Sequence, residues 1–164
     1  MSSNFNNVYS RLENECFSLK PNRVDEIFPS YQNLFKSFSI ISQNIRSFNR
    51  NFDDFSVFFD DYTNKIDIMV FSETWFESDN CSSIQSYDDY HTVRQNKKGG
   101  GVSIYVRNKY KSSKLNNLSG IYSTFEACTV ILKVNESFEI YIVCLYRPPD
   151  SSLNQFFLDF LRLI

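Results

Sequence analysis

Histidine is almost absent from this chain, with His91 the only one among 164 residues. A Ser or Cys triad would therefore have a single possible base, and no Gly-x-Ser-x-Gly turn is present to offer a nucleophile. Cysteine is sparse as well: Cys16, Cys81, Cys128 and Cys144 lie scattered, without a C-x-x-C pair or a closely spaced histidine, which argues against a zinc site. Cys128 and Cys144 stand in apolar runs and read as small buried hydrophobes. Glycine is scarce, and its one run, Gly99-Gly100-Gly101, has no following Gly-Lys-Ser/Thr. That run is no phosphate cradle, and its glycines read as a tight turn needing positive φ.

An excess of positive charge is missing too. The formal net charge is -2 and the pI about 5.4, so no broad cationic surface signals non-specific nucleic-acid binding, and any DNA contact has to be local. Lys97, Lys98, Arg107, Lys109, Lys111 and Lys114 form a basic run, for which a solvated hairpin and its flank is an equally good reading. No stretch approaches the roughly 18 apolar residues of a membrane span. The opening Met1-Ser-Ser-Asn-Phe-Asn-Asn7 lacks the basic and apolar regions of a signal peptide. An intracellular location without a membrane partner is the expectation, and the Asn-x-Ser matches at Asn80, Asn117 and Asn135 are then coincidental.

What is present is a globular composition, 42% apolar and 22% charged, in a length that suits one domain. Aromatics reach 17%, and the phenylalanines fall inside periodic segments, as core and sheet packing requires. Residues 1–36 are Asn- and Ser-rich, broken by Pro21 and Pro29, and read as an appended segment; the domain proper occupies 37–164. Phe38–Asn44 is an apolar run suited to a buried strand. Asn51 then precedes a Phe52, Phe55, Phe58, Phe59, Tyr62 stripe at helical spacing, with Asp53 and Asp54 in the expected first turn. Ile66–Phe71 is a second buried strand, and strand, helix, strand in this spacing favours a parallel pair. Tyr90–Gln95 with Val102–Arg107, and Phe125–Val134 with Phe138–Tyr146, read as hairpins. After Pro148-Pro149, Ser152 and Gln155 make a capping box for a helix that displays Phe156, Phe157, Phe160, Leu161 and Ile164.

The polar residues at these strand ends are the candidates for chemistry, because ligand and catalytic groups of open α/β sheets gather there. They are Asn44 after the first strand, Glu73 after the second, and Tyr146 with Arg147 after the last. A carboxylate is a hard oxygen ligand for magnesium, an Asn orients a water or a phosphate oxygen, and Tyr and Arg hydrogen-bond a phosphoryl oxygen as charge develops. Singly, each also has a plain structural explanation: a solvated or capping carboxylate for Glu73, a turn opener for Asn44.

In order and spacing, Gln43-Asn44-Ile45-Arg46-Ser47, then Asp67-Ile68 leading to Ser72-Glu73-Thr74-Trp75, then Gly99-Gly-Gly-Val-Ser-Ile-Tyr-Val106, then Tyr146-Arg147-Pro148-Pro149 resembles the endonuclease/exonuclease/phosphatase superfamily. The likeness is greatest to the endonuclease domain of non-LTR retrotransposons, itself similar to apurinic endonucleases, and it covers Phe38 to Ile164. The resemblance implies an Mg2+-dependent phosphodiesterase acting on DNA. In it Asn44 lies beside the scissile phosphate, Glu73 ligates the magnesium, Tyr146 contacts the phosphate and Arg147 assists in substrate binding. Tyr87 and Arg94 match frequent positions too, and are read here as packing and loop support.

The resemblance also marks what these residues leave out. Such domains continue into a strand ending in Gly-Asp-x-Asn and finish with an Asp-His pair, and neither stands in this chain; His91 lies mid-chain in a strand and does not match that pair. The expected architecture is a partial four-layer α/β sandwich, with the first β-sheet and its flanking helices present and the second sheet largely missing. Negligible activity follows as an expectation, as does self-association through an uncovered sheet face. The alternatives are a lipid or inositol phosphate phosphatase of the same superfamily, a non-catalytic module binding nucleic acid or protein, and a decayed reading frame. Nuclear residence is an implication of the family likeness alone.

Overall fold

The computed structural model describes residues 39–58, 65–77, 81–95, 99–136 and 138–163. The 1–36 segment, Cys16, Phe59, Tyr62, Asn80, Lys97, Lys98 and Ile164 lie outside the described residues. In chain order the elements are β1 (Ile40–Asn44), α1 (Phe48–Phe58), β2 (Ile68–Ser72), β3 (Tyr87–Thr92), β4 (Val102–Arg107), β5 (Lys111–Lys114), β6 (Gly120–Ile121), β7 (Glu126–Asn135), β8 (Phe138–Tyr146) and α2 (Leu153–Leu163). None of the described helices is long and apolar enough to cross a membrane.

The first sheet runs β1-β2-β4-β3, with β1 and β2 parallel, as the strand, helix, strand spacing requires, and the other pairs antiparallel. The first four residues of β2, Ile68–Phe71, are apolar because the strand is covered on both faces. Ile68 and Val70 point into one buried cluster, Met69 and Phe71 into another. On the Phe71 side, α1 supplies Phe48, Phe52 and Phe55. The Phe48 and Phe52 rings stack at 4.4 Å, and Phe71 meets Phe55 edge-on at 5.2 Å and Phe48 at 5.5 Å.

The helix starts earlier than its sequence pattern indicates. Asn51 and the two acidic residues after it lie inside α1, whose first turn holds no acidic side chain. Tertiary bonds set this start: Ser47 N–H donates to Glu73 O at 2.8 Å, Phe48 N–H to Thr74 O at 2.9 Å, and Ser47 O then accepts the first helical bond from Asn51 N–H. The Asn51 amide turns back instead, donating to Ile45 O and Arg46 O at 2.8 and 2.7 Å.

The α/β sandwich is present, and its second sheet is fuller than expected. β7 is the spine of a four-stranded sheet, with β8 along one side and β5 and β6 sharing the other. β5 and β6 escape notice in the sequence because Lys111-Ser-Ser-Lys114 has no apolar signature; its strand character comes from pairing with Val130–Lys133. The facing surfaces of the two sheets close on each other: Ile68, Val70, Val102, Ile104 and Val106 pack against Cys128, Val130, Leu132, Ile142 and Cys144. Cys128 and Cys144 are thus the buried hydrophobes their contexts suggest, and burial pushes their thiols up to about 11 and about 12. The inter-sheet face proposed for self-association is therefore covered. Exposed apolar surface lies instead on α2 and β8, at Phe157, Leu158, Leu161, Tyr141 and Val143.

α2 begins as read, with Gln155 N–H donating to Ser152 Oγ at 3.3 Å. It docks on Phe125 through Phe156 and Phe160, while Asp159 accepts hydrogen bonds from Thr124 Oγ1 at 2.9 Å and from Ser123 Oγ. Phe157 and Leu161, expected on the packed stripe, point away from it and are exposed.

At the amino end of β2, Asp67 gathers Ser39 N–H at 3.0 Å, Tyr110 OH at 3.0 Å and Lys109 Nζ at 2.7 Å, tying β1 and the β4–β5 turn together. Burial by itself would raise the Asp67 pKa, but the Lys109, Ser39 and Tyr110 bonds outweigh it and hold it below the ordinary 3.8. A carboxyl depressed in the folded state contributes stability above its unfolded pKa and loses that contribution as pH falls through the folded value. Stability should accordingly fall off below pH 3.8, and Asp67→Asn should flatten this acid limb in unfolding curves taken across pH. Phe71→Ala removes the ring at the centre of the aromatic cluster and should cost about 3–5 kcal/mol in urea unfolding. A loss under about 1 kcal/mol would mean the cluster collapses around the gap.

Candidate active site

Strand register brings the candidate residues to one end of the sandwich. In the first sheet Asn44 pairs with Ser72 and Ser72 with Val102, so Ile45, Glu73 and Gly101 all stand one residue beyond this row. In the second sheet Tyr146 is the register partner of Glu126. The carboxyl ends of β1, β2, β3 and β8 thus meet the amino ends of β4 and β7.

The turn after β2 is shaped by its neighbours rather than by its own residues. Glu73 and Trp75 hold φ of 54° and 55°, a left-handed conformation unfavourable for side chains of this size. On one side Ile45 N–H donates to Ser72 O at 3.0 Å, while Ser47 and Phe48 take up Glu73 O and Thr74 O. On the other, Thr74 N–H donates to Gly101 O at 3.2 Å and Trp75 N–H to Gly100 O at 2.9 Å. Gly99, Gly100 and Gly101 all have positive φ, as their run leads one to expect. Two of them also need the space: a Cβ on Gly101 would lie 2.6 Å from Thr74 Oγ1, and one on Gly100 would lie 2.6 Å from Glu126 Oε1.

The result is a carboxylate held by two neutral donors. Asn44 Nδ2 donates to Glu73 Oε1 at 3.0 Å and Tyr146 OH donates to the same oxygen at 2.9 Å. Burial, then the hydrogen bond to Glu73 and its charge, push the Tyr146 phenol up to about 12, so it is a hydrogen-bond donor at neutral pH. Asn44, Glu73 and Tyr146 come from distant parts of the chain and from both sheets.

The remaining sequence candidates lie elsewhere. Arg147 turns into its own loop, where its Nη1 donates to Pro148 O at 3.2 Å and Ser151 O at 2.7 Å. His91 is locked in the first sheet, Nδ1 with Ser103 Oγ and Nε2 with Asp89 Oδ2 at 2.8 Å each, and burial lowers its pKa. Ser103 is fully buried, so its hydroxyl is closed to a substrate. Tyr87 bonds Ile66 O at 2.7 Å beneath the Arg107 guanidinium, a packing role. In the basic run, Arg107 reaches Ile66 O, Lys109 pairs with Asp67 and Lys114 donates to His91 O.

Sequence reading missed Glu126. This carboxylate is 1% exposed, pairs with Arg94 and accepts Gly101 N–H at 2.5 Å. The available signal was one acidic residue interrupting the apolar run Phe125–Leu132. Beside this pair a cleft of about 540 Å³ opens between Arg94, Tyr122, Thr124 and Ser151.

The overall fold is similar to that of the endonuclease domain of TRAS1, a telomere-specific non-LTR retrotransposon, with a TM-score of 0.58 and 13% sequence identity. The chain has the fold of that endonuclease domain. The match covers 77% of this chain and 54% of the TRAS1 domain, so the chain spans about half the length of that structure. No protein-family model matches the sequence, and no curated protein does.

The glycine contacts predict an order of effects. Gly100→Ala and Gly101→Ala each meet a close atom as well as positive φ, whereas a Cβ at Gly99 finds nothing nearer than Trp75 Nε1 at 3.7 Å. Thermal melts should show both inner substitutions to be clearly more destabilising than Gly99→Ala. Equal losses at all three positions would leave backbone φ as the sole cause.

Proposed function

We propose that Asn44, Glu73 and Tyr146 are the metal- and phosphate-binding side of an Mg2+-dependent phosphodiester hydrolase of the DNA-nicking, retrotransposon type, and that the 164-residue chain alone turns over negligibly. The observation that carries this reading is the convergence of an amide and a phenol, from opposite sheets, on a single oxygen of Glu73.

The donor set suits magnesium. Mg2+ is commonly held by one or two carboxylates, with waters and substrate phosphate oxygens completing its octahedron. The hydrogen bonds from Asn44 and Tyr146 both fall on Glu73 Oε1 and come from uncharged groups, which leaves Oε2 to present to an ion. When bound, the ion would polarise a phosphoryl oxygen and offset developing negative charge. Around it, Asn44 holds the Glu73 rotamer and can orient a phosphate oxygen or water, and Tyr146, whose single O–H is given to Glu73 Oε1, would turn it from that carboxylate to reach a non-bridging phosphate oxygen, without titrating. Arg147, on its loop, would have to leave its local carbonyls to bind substrate.

A residue to activate water has no bearer at this end of the described structure. Among the described residues no three or more His, Cys, Asp or Glu side chains cluster as a metal-binding group, and both nitrogens of His91 are engaged within its sheet. General acid-base catalysis contributes about 10²- to 10⁴-fold, and its loss is the reason for expecting negligible turnover. DNA as substrate and nuclear residence belong to this same reading. So does self-association, which would use the exposed apolar side chains of α2 and β8.

The test joins nicking of supercoiled plasmid in Mg2+ with binding of Mn2+ followed by water-proton relaxation, each for the folded chain, for Glu73→Gln and with EDTA. The expected outcome is Mn2+ binding that Glu73→Gln abolishes, with no nicking above the EDTA background. Nicking that disappears in both controls would confirm the reaction class and refute the claim of inactivity. Absence of Glu73-dependent cation binding would sink the metal site itself.

A further inference from the structure

We infer that Glu126 and Arg94 are positioning residues for the Glu73 site, a buried strut between the two sheets that sets the Glu73 turn against Tyr146. The inference rests on the proposed function for what the turn positions, and on contacts alone for the strut. Glu126 opens β7 in the second sheet, and its side chain reaches the first sheet, accepting Gly101 N–H at 2.5 Å through Oε2 and pairing with Arg94 through Oε1. A carboxylate buried this deeply is tolerated only with such partners. The backbone of Gly100 lies against the pair closely enough that a Cβ there would be 2.7 Å from Arg94 Cζ.

The opposite edge of the same two glycines holds the turn. Gly101 O takes Thr74 N–H and Gly100 O takes Trp75 N–H, the residues immediately after Glu73. A continuous path therefore runs from Glu126 through Gly100–Gly101 to the left-handed backbone of Glu73. Glu126 is at the same time the register partner of Tyr146, which donates to Glu73. One buried side chain thus indexes both the carboxylate and one of its two donors, across a sheet-to-sheet gap that strand pairing does not bridge.

A purely stabilising ion pair would lower stability everywhere, whereas a strut acts on the turn. Trp75 is the only tryptophan in the chain, so its emission reports on this turn alone. The experiment compares wild type, Glu126→Gln, Arg94→Lys and the exchange Arg94→Glu/Glu126→Arg. Its readouts are amide hydrogen exchange, Trp75 emission, and Mn2+ relaxation as the cation probe.

Glu126→Gln should raise exchange at Thr74 and Trp75 by about tenfold while Met69 and Tyr105 stay protected. It should also red-shift Trp75 and weaken cation binding by about tenfold, the usual effect of losing a group that orients a ligand. Arg94→Lys keeps the charge but loses the planar fork, and should give the same local pattern more weakly, which covers the case in which Glu126→Gln does not fold. The exchange should recover melting temperature relative to Glu126→Gln but not Thr74 and Trp75 protection, because arginine has no acceptor for Gly101 N–H.

Unchanged Thr74 and Trp75 exchange in folded variants, or a loss of protection spread evenly over β2 and β4, would overturn the strut. If wild type binds no cation while the turn responds as expected, the metal reading falls and the strut stands.

Discussion

Everything at the candidate site depends on a short backbone turn that could not hold its shape alone. Glu73 and Trp75 occupy left-handed φ, a conformation that costs on the order of 1–3 kcal/mol for a non-glycine residue and persists only when its surroundings over-determine it. Here they do: amides of Ile45, Ser47 and Phe48 take the carbonyls of Ser72, Glu73 and Thr74, while carbonyls of Gly100 and Gly101 take the amides of Trp75 and Thr74. The same bonds start α1 and end the approach to β4, so the turn, the helix and the glycine loop are one unit. Burial of Phe48 in the aromatic cluster and of Val102 in the inter-sheet core anchors both sides of the clamp.

The two sheets contribute unequally. The first supplies Asn44 and Glu73, and its parallel β1–β2 pair sets Asn44 beside Ser72, one residue before Glu73. The second supplies Tyr146, whose reach to Glu73 is meaningful only if the sheets are held in register with each other. Apolar contact between sheets is non-directional and fixes distance better than register. Register needs directional links, and several are present: Thr92 Oγ1 donates to Ala127 O at 2.8 Å, Cys144 Sγ contacts Phe71 O at 3.6 Å, and Glu126 accepts Gly101 N–H. All three lie toward the end that carries the site.

This distribution explains what the sequence does and does not disclose. The trio Asn44, Glu73 and Tyr146 was legible as candidates because each is a polar residue at the carboxyl end of a strand, and strand ends are marked by short-range pattern, although β1, expected to be buried, is largely exposed. β2 and the two hairpins were legible for the same reason. The start of α1 was not, because Asn51 and the acidic residues after it are a good local start signal overruled by bonds from Glu73 and Thr74, distant in sequence. β5 was invisible because its four residues carry no apolar pattern and become a strand only against β7. Glu126 was hidden differently, since neither of its partners, Arg94 and Gly101, is near it in the chain. Arg147 was legible as a strand-end cation, but its loop offers nearer acceptors at Pro148 and Ser151 than any phosphate site.

The two glutamates of this end show how environment divides one side-chain chemistry into two uses. Glu126 is buried and faces a guanidinium, so its charge is matched inside the protein and its field beyond the pair is that of a short dipole. Glu73 is half-buried and accepts its hydrogen bonds from an amide and a phenol, neither of which carries a compensating positive charge. At about 4 Å, a unit charge attracts an opposite one by roughly 4 kcal/mol at the effective dielectric of a protein surface. That attraction is available to an external cation at Glu73 and already satisfied at Glu126. A cationic donor in place of Asn44 or Tyr146 would offset the charge that an incoming ion would meet, whereas an amide and a phenol orient Glu73 and leave that charge to act outward.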